Sequence, residues 1–384
     1  MEMRHNRRII YLAGFLFSIP VALVSYINSS FLEIYVGKNY VGLIYIVASI
    51  VTIWGLLKIP KILTNLGNRI TILLSCSLMF LSLVLLAFGS NALIVILSFI
   101  LYFVSINFII ASLDIFIEDF SKNSSVGKLR GLYLMIVNIA WILAQLLSGS
   151  IINKSSISGI YLIGALFVFL VSLIFILFLR DFKDPEYKKV PIIKTIQSFI
   201  QNKHISKIYL SNLILQFFYA WMIIYTPIYL HEYMQFGWDK IGIIFGVMLI
   251  PFVVLDFPLG KLSDKIGEKK MLILSFLIIS FSVLAIPFIR EQTFWTWALI
   301  LFATRIGAAT IEVMNESYFF KIVSEKNADE ISFFRNAPSV SYVIAPLIAF
   351  PILLLVPSFE YLFFVLGAVL LIGLIIVLRL QDVK

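Results

Sequence analysis

Charge and sulfur are what this chain has least of. Only 13% of its 384 residues are charged and 61% are hydrophobic, whereas a soluble domain carries roughly a quarter charged residues. A water-soluble globule is excluded on that ground. A single cysteine, Cys76, lies inside an apolar run, which excludes an internal disulfide and any Cys-based metal site. The three histidines, His5, His204 and His231, all fall outside the apolar runs, so a histidine proton relay across a membrane is excluded too. No nucleotide-binding loop is present, and no Ser/His, Asp/Asp or His-Glu-x-x-His constellation lies in the apolar runs. No enzyme, metal or cofactor is expected.

What the chain has in abundance is long apolar segments, each near the ~20 residues needed to cross a bilayer. Twelve can be placed: 9–32, 40–60, 70–90, 93–118, 131–153, 158–179, 208–230, 239–260, 271–289, 293–318, 337–357 and 359–379, numbered below as spans 1 to 12. Met1 to Tyr26 has the basic start and apolar run of a signal peptide. However, no small-residue cleavage site follows, so it is read as the first span. The fold class is an all-α polytopic membrane protein with twelve transmembrane helices.

The net charge of +9 is explained by loop asymmetry rather than by nucleic acid. Of 30 Lys and Arg, 25 fall on the side of the two termini. Lys38, Lys154, Lys240 and Arg290 fall on the other, and Arg305 lies within a span. The positive-inside rule then makes both termini cytoplasmic in a multi-pass protein of the plasma membrane. The densest charge separates three parts: 1–180, a linker over 181–206, and 207–384. From Pro191 the linker places Ile192, Ile193, Ile196, Phe199 and Ile200 on one helical face. That is the pattern of an interfacial helix, serving as a connector or as a lipid sensor.

Spans 1–6 and 7–12 repeat. Gly42 and Gly242 match at an offset of 200, as do Gly67 and Gly267; at 198, Asn107 matches Arg305, Asp114 matches Glu312 and Glu118 matches Glu316. A duplication into two pseudo-symmetric six-helix bundles follows. Between spans 8 and 9 runs Gly260-Lys-Leu-Ser-Asp264-Lys265-Ile-Gly267-Glu-Lys269-Lys270, read as a short loop; Pro60 to Ile70 is its paler copy, with Gly67 and Arg69 retained. This Gly-x-Leu-x-Asp-Lys-x-Gly-x-Lys-Lys pattern resembles the signature of the major facilitator superfamily between the second and third helices of a half. Arg305-Ile-Gly-Ala-Ala is similar to that family's Arg-then-Gly element, normally found in span 4. In the first copy Pro60 replaces the leading Gly and Thr64 the Asp. The resemblance implies a cytoplasmic gate: Glu312 or Glu316 meets Lys265, Lys269 or Arg335, with Glu118 in the matching place of the first half, while Asp264 meets a helix end in the opposite bundle.

Ionisable groups inside spans are costly and face a bundle interior or an aqueous cavity. Glu312 and Glu316 each lie about 20° around the helix from Arg305, so the three form one stripe. Glu312 is also about 10.5 Å along the axis, too far for a direct bridge to be expected. Arg305 therefore faces another helix or an anionic ligand. Glu312, Glu316, Asp256 and Asp114 are the proton-site candidates. Asn138, Trp141, Gln145 and Ser148 share a sector of about 80° on span 5, and Asn212, Gln216 and Tyr219 share a face of span 7. With Arg305 and Asn107 they are the candidates for binding a solute, or else they are helix–helix glue. Pro20 and Pro227 mark spans 1 and 7 for kinks. The reading is a secondary transporter working by alternating access, proton-coupled, with export favoured over uptake. Its expected partners are a small solute, protons and the lipid bilayer, and the chain is expected to act as a monomer. The competing readings are a facilitative or uptake carrier, and a non-transporting receptor or assembly factor of the same fold.

Overall fold

A computed structural model describes residues 2–119, 126–178, 202–323, 328–356 and 358–381. Among them every regular element is helical and none is a strand. The interfacial helix expected from Pro191 lies outside the described residues. Nine described helices are long and apolar enough to cross a membrane. Two are double-length: Val41–Phe88 turns at Gly67 (φ 76°, ψ 161°) and Val126–Phe178 at Ser156 (φ 69°, ψ 177°). Trp238–Val254, with 17 residues, supplies span 8. The described helices thus accommodate the twelve expected spans.

The helices form where apolar residues leave the backbone no other partner than itself. Hydroxyls within the spans return to their own helix: Ser18 donates to the Gly14 carbonyl, Thr52 to Ala48, Ser75 to Thr71 and Ser275 to Met271. This back-bonding lets polar residues sit in apolar surroundings without a second helix to satisfy them.

The chain forms two compact units. One comprises Met1–Lys189 with Gly237–Gly246, the other Val190–Phe236 with Val247–Lys384. In the first, spans 2 and 3 pack on span 4 and span 1 packs on spans 5 and 6. In the second, span 9 packs on spans 10 and 12, and span 7 packs on spans 10, 11 and 12. Span 7 is the most buried of the candidate spans.

Three boundaries differ from the sequence expectation. Span 1 is broken: one helix ends at Ser25 and a second runs Asn28–Val36, with Ser25 Oγ donating to the Ala22 carbonyl at the break. Span 7, Lys203–Ile228, contains Pro227 and passes directly into a π-helical turn, Tyr229–Tyr233. The missing N–H of Pro227 leaves the carbonyl four residues earlier without its usual intrahelical donor, and the π-helical turn follows two residues later. The third difference concerns Gly260–Lys270, which is not a loop. A helix Asp256–Ile266 precedes a single non-helical residue, Gly267 (φ 91°, ψ 142°), and the next helix starts at Glu268. A left-handed glycine redirects the chain within one residue, so both flanks stay helical. Gly67 does the same in the first unit.

Candidate functional site

Span 10 is one unbroken helix, Phe294–Ile322, and it carries the ionisable stripe. Arg305 is 1% exposed. Its guanidinium lies 4.8 Å from the ring centroid of Phe218 and 5.9 Å from that of Tyr219, both on span 7. Among the described residues its Nη1 has no hydrogen-bond partner. No ion pair joins Arg305 directly to Glu312 among the described residues. Instead Tyr219 stands between them, with its ring beside Arg305 and its hydroxyl donating to Glu312 Oε2 at 2.7 Å. A hydrogen bond to a carboxylate is about twice as strong as a neutral one. One side chain thus couples the buried cation to the half-buried acid. Glu316, one turn farther, is exposed, so the two acids do not share one buried site.

Other candidates divide by unit. In the second, Gln216 is half-buried, and Asn212 is buried with Nδ2 donating to the Phe334 carbonyl at 3.4 Å. In the first, Asn107 returns Nδ2 to the Phe103 carbonyl of its own helix at 2.8 Å, and Asn138 and Asp114 are half-buried. Trp141 meets Tyr26 edge-on, with centroids 6.5 Å apart; Tyr26 in turn packs on Phe245 at 4.5 Å. Gln145 is buried and its Nε2 donates to the Ala22 carbonyl at the span 1 break, while Ser148 Oγ donates to the Gln145 carbonyl. Gln145 is therefore a tie between spans 1 and 5. The side chains of Glu118, Asp256 and Asp264 lie outside the described residues, and Gly260 falls within the helix Asp256–Ile266.

At the signature stretch an ion pair to span 10 is present whose polarity is opposite to that of the pairing expected there. Lys265, Lys270 and Arg335 are exposed and Lys269 is half-buried. The buried group is Glu268, 2% exposed. Its Oε1 lies 2.5 Å from Nζ of Lys321, at the end of span 10, and accepts a 3.0 Å hydrogen bond from Ser317. Here the stretch supplies the acid and span 10 the cation. In the first unit Asn68, the matching residue, is fully buried and donates to the Ser112 carbonyl of span 4 at 3.0 Å, while Arg69 donates to the Ile176 carbonyl at 3.2 Å. Glu268, Ser317 and Lys321 were not among the candidates read from the sequence. The signal that would have found them is the offset of 200, which pairs Asn68 with Glu268 directly after the paired glycines. Among the described residues no group of three or more His, Cys, Asp or Glu could hold a metal ion.

Solved structures with this architecture include the nucleoside transporter NupG (TM-score 0.79, 10% identity, 99% of this chain and 100% of that one). A bacterial homolog of the human lysosomal transporter Spinster, in an inward-facing and occupied conformation, matches with TM-score 0.75 and 13% identity over 98% and 96%. A bacterial homologue of the iron transporter ferroportin, inward-facing, gives 0.74 and 13% over 98% of each chain. At these identities the likeness establishes the fold. No curated protein matches the chain in sequence. The model of the Major Facilitator Superfamily matches residues 10–248 and again 227–384. Family and fold together support a multi-pass membrane transporter, and the chain belongs to the Major Facilitator Superfamily.

Proposed function

We propose that this protein is a secondary active transporter that moves a small solute by alternating access, coupled to protons and working in export. It lies in the plasma membrane with both termini cytoplasmic, as two six-helix bundles, 1–180 and 207–384, joined by the linker 181–206. The observation that carries the coupling is the Arg305–Tyr219–Glu312 arrangement. An ionised Glu312 accepts the Tyr219 hydroxyl and holds that ring beside Arg305. A protonated Glu312 accepts more weakly, because the bond loses its charge assistance. The ring is then free to leave the guanidinium. Proton occupancy and the state of a buried cation are joined through one side chain, which is what coupling requires: a ligand shifts an equilibrium only by its differential affinity for the two states.

The Glu268–Lys321 pair and the Asn68 tie act in this reading as the fastenings of the cytoplasmic gate, within their own units. Reconstituted protein under an imposed pH gradient tests the coupling. Solute flux should follow the gradient, and Glu312→Gln should keep solute exchange while abolishing gradient-driven accumulation. Flux indifferent to the gradient would remove protons from the mechanism. The non-transporting alternative is favoured by one observation: Thr64, where the signature has Asp, donates to the Pro60 carbonyl of its own helix at 2.7 Å. If neither Arg305→Gln nor Glu312→Gln alters flux or solute binding, that alternative replaces the transporter reading.

A further inference from the structure

Among the described residues of the second unit, the buried polar atoms left without partners share a character. They are Nη1 of Arg305, Nε1 of Trp221, Nδ2 of Asn315 and the hydroxyls of Tyr225, Tyr229 and Ser280. The first three are donors only, and each of the hydroxyls has a proton to give. Burying a donor without an acceptor costs about as much as losing a hydrogen bond, so native interiors rarely do it without a reason. Five of the six lie on spans 7 and 10 or on the turn that continues span 7. Phe218, whose ring carries the Arg305 guanidinium, lies on span 7 with Trp221 about 60° and Tyr225 about 20° away around the helix. The indole of Trp221 packs edge-on against Tyr225, with centroids 5.5 Å apart. One sector of span 7, with one arginine of span 10 against its Phe218, therefore holds an indole N–H and a phenol O–H that, like Nη1 of that arginine, donate to no acceptor among the described residues. Trp221 and Tyr225 are fully buried. The nearby acid, Glu312, already accepts from Tyr219.

From this shortage of acceptors we infer that the solute is a small monoanion with a flat or apolar body, of which an aromatic carboxylate is the simplest representative. The inference rests on the transporter reading and names the substrate class of that site. The occupant brings the acceptor that the fold omits. Its carboxylate takes the N–H groups of Arg305 and a neighbouring donor of span 7, and its body replaces the Phe218 and Tyr219 rings over the guanidinium. A cation would meet Arg305 head-on, and a neutral alcohol would satisfy one donor without compensating the buried charge.

Three probes of similar size and different charge test this: benzoate, benzyl alcohol and benzylamine, titrated into purified protein in detergent. Binding is followed by intrinsic tryptophan fluorescence and flux by proteoliposome uptake. Benzoate should bind at least tenfold more tightly than the other two. Arg305→Gln should abolish that preference, and Arg305→Lys should keep part of it. Tyr225→Phe guards against misfolding as the explanation. Removing an unpartnered hydroxyl should leave the melting temperature of the free protein unchanged or raised, while benzoate affinity falls two- to tenfold. Benzylamine or benzyl alcohol binding as well as benzoate, a preference that survives Arg305→Gln, or no binding by any probe would each overturn the inference. Benzoate binding with these variant effects but without protein-dependent flux would overturn the transporter reading and leave the anion site standing.

Discussion

Lys321→Met and Glu268→Gln remove opposite ends of one ion pair, yet the lysine should be the costlier loss. The Glu268 side chain is 2% exposed and that of Lys321 is 38% exposed. Without Lys321 a carboxylate stays where water does not reach, with the Ser317 hydroxyl still donating to it. Stranding one charge of a fully buried pair costs about 3–5 kcal/mol. The exposure of Lys321 lets solvent screen part of that, which brings the expected cost to roughly 2–3 kcal/mol. Without the charge on Glu268 the ammonium turns to water, and the loss is one charge-assisted hydrogen bond, about 1.5 kcal/mol. The double variant should resemble Glu268→Gln alone, giving a coupling of about 2 kcal/mol within the usual range for touching residues. The assay is unfolding by sodium dodecyl sulfate in mixed micelles, followed by tryptophan fluorescence, with all four members of the cycle compared. Raising the salt to 0.5 M should change the coupling little, since a buried partner is poorly screened. Equal costs for the two single variants, or a larger cost for Glu268→Gln, would refute the reasoning.

Three further outcomes follow from the packing. Gly267→Ala and Gly67→Ala each put a Cβ on a left-handed residue (φ 91° and 76°) and should each lower stability by about 1–2 kcal/mol in the same assay. Gly242→Ala should be worse than Gly246→Ala: the new Cβ at 242 would lie 2.7 Å from the Gln145 carbonyl oxygen and 3.0 Å from the Gly149 nitrogen, whereas at 246 it meets the movable tip of Leu146. Overpacking against backbone puts the first at about 1–3 kcal/mol, read as a loss of melting temperature. Gln145→Leu removes the tie to the Ala22 carbonyl and should cost about 0.6 kcal/mol, with solute affinity unchanged.

The division between what was legible and what was not has physical grounds. Spans, the repeat and the Arg305–Glu312–Glu316 stripe are one-dimensional facts, fixed by apolar run length and by about 100° of turn per residue. The rotation of span 7 against span 10 is not such a fact. It decides that Tyr219, rather than any other polar residue of its face, comes between Arg305 and Glu312. Gln145 belonged by spacing to a polar stripe, and only the break in span 1 reveals which carbonyl it serves. The polarity of the fastening was hidden for another reason. Glu268 occupies a variable position of the signature, so attention fell on the lysines around it. Whether a charge is turned inward depends on the exit direction from Gly267, which no pattern of residue types states. Trp221 and Tyr225 follow the polar face of span 7 in the sequence, and their unanswered donors emerge only when partners are counted in three dimensions.

The two glycine turns also constrain how the duplicated halves can diverge. Each copy has the same joint, a left-handed glycine, followed by the residue that fastens it: an amide facing a carbonyl in one, an acid facing an ammonium in the other. The joints are interchangeable, but the fasteners are not. An acid at position 68 would turn two acceptors against each other at Ser112, while an amide at 268 would give up the charge that Lys321 meets. Neither copy can revert to the chemistry of its sibling one residue at a time without passing through a loosened intermediate. The asymmetry between the halves is therefore held in place by the cost of the intermediate steps, much as a ratchet holds a wheel.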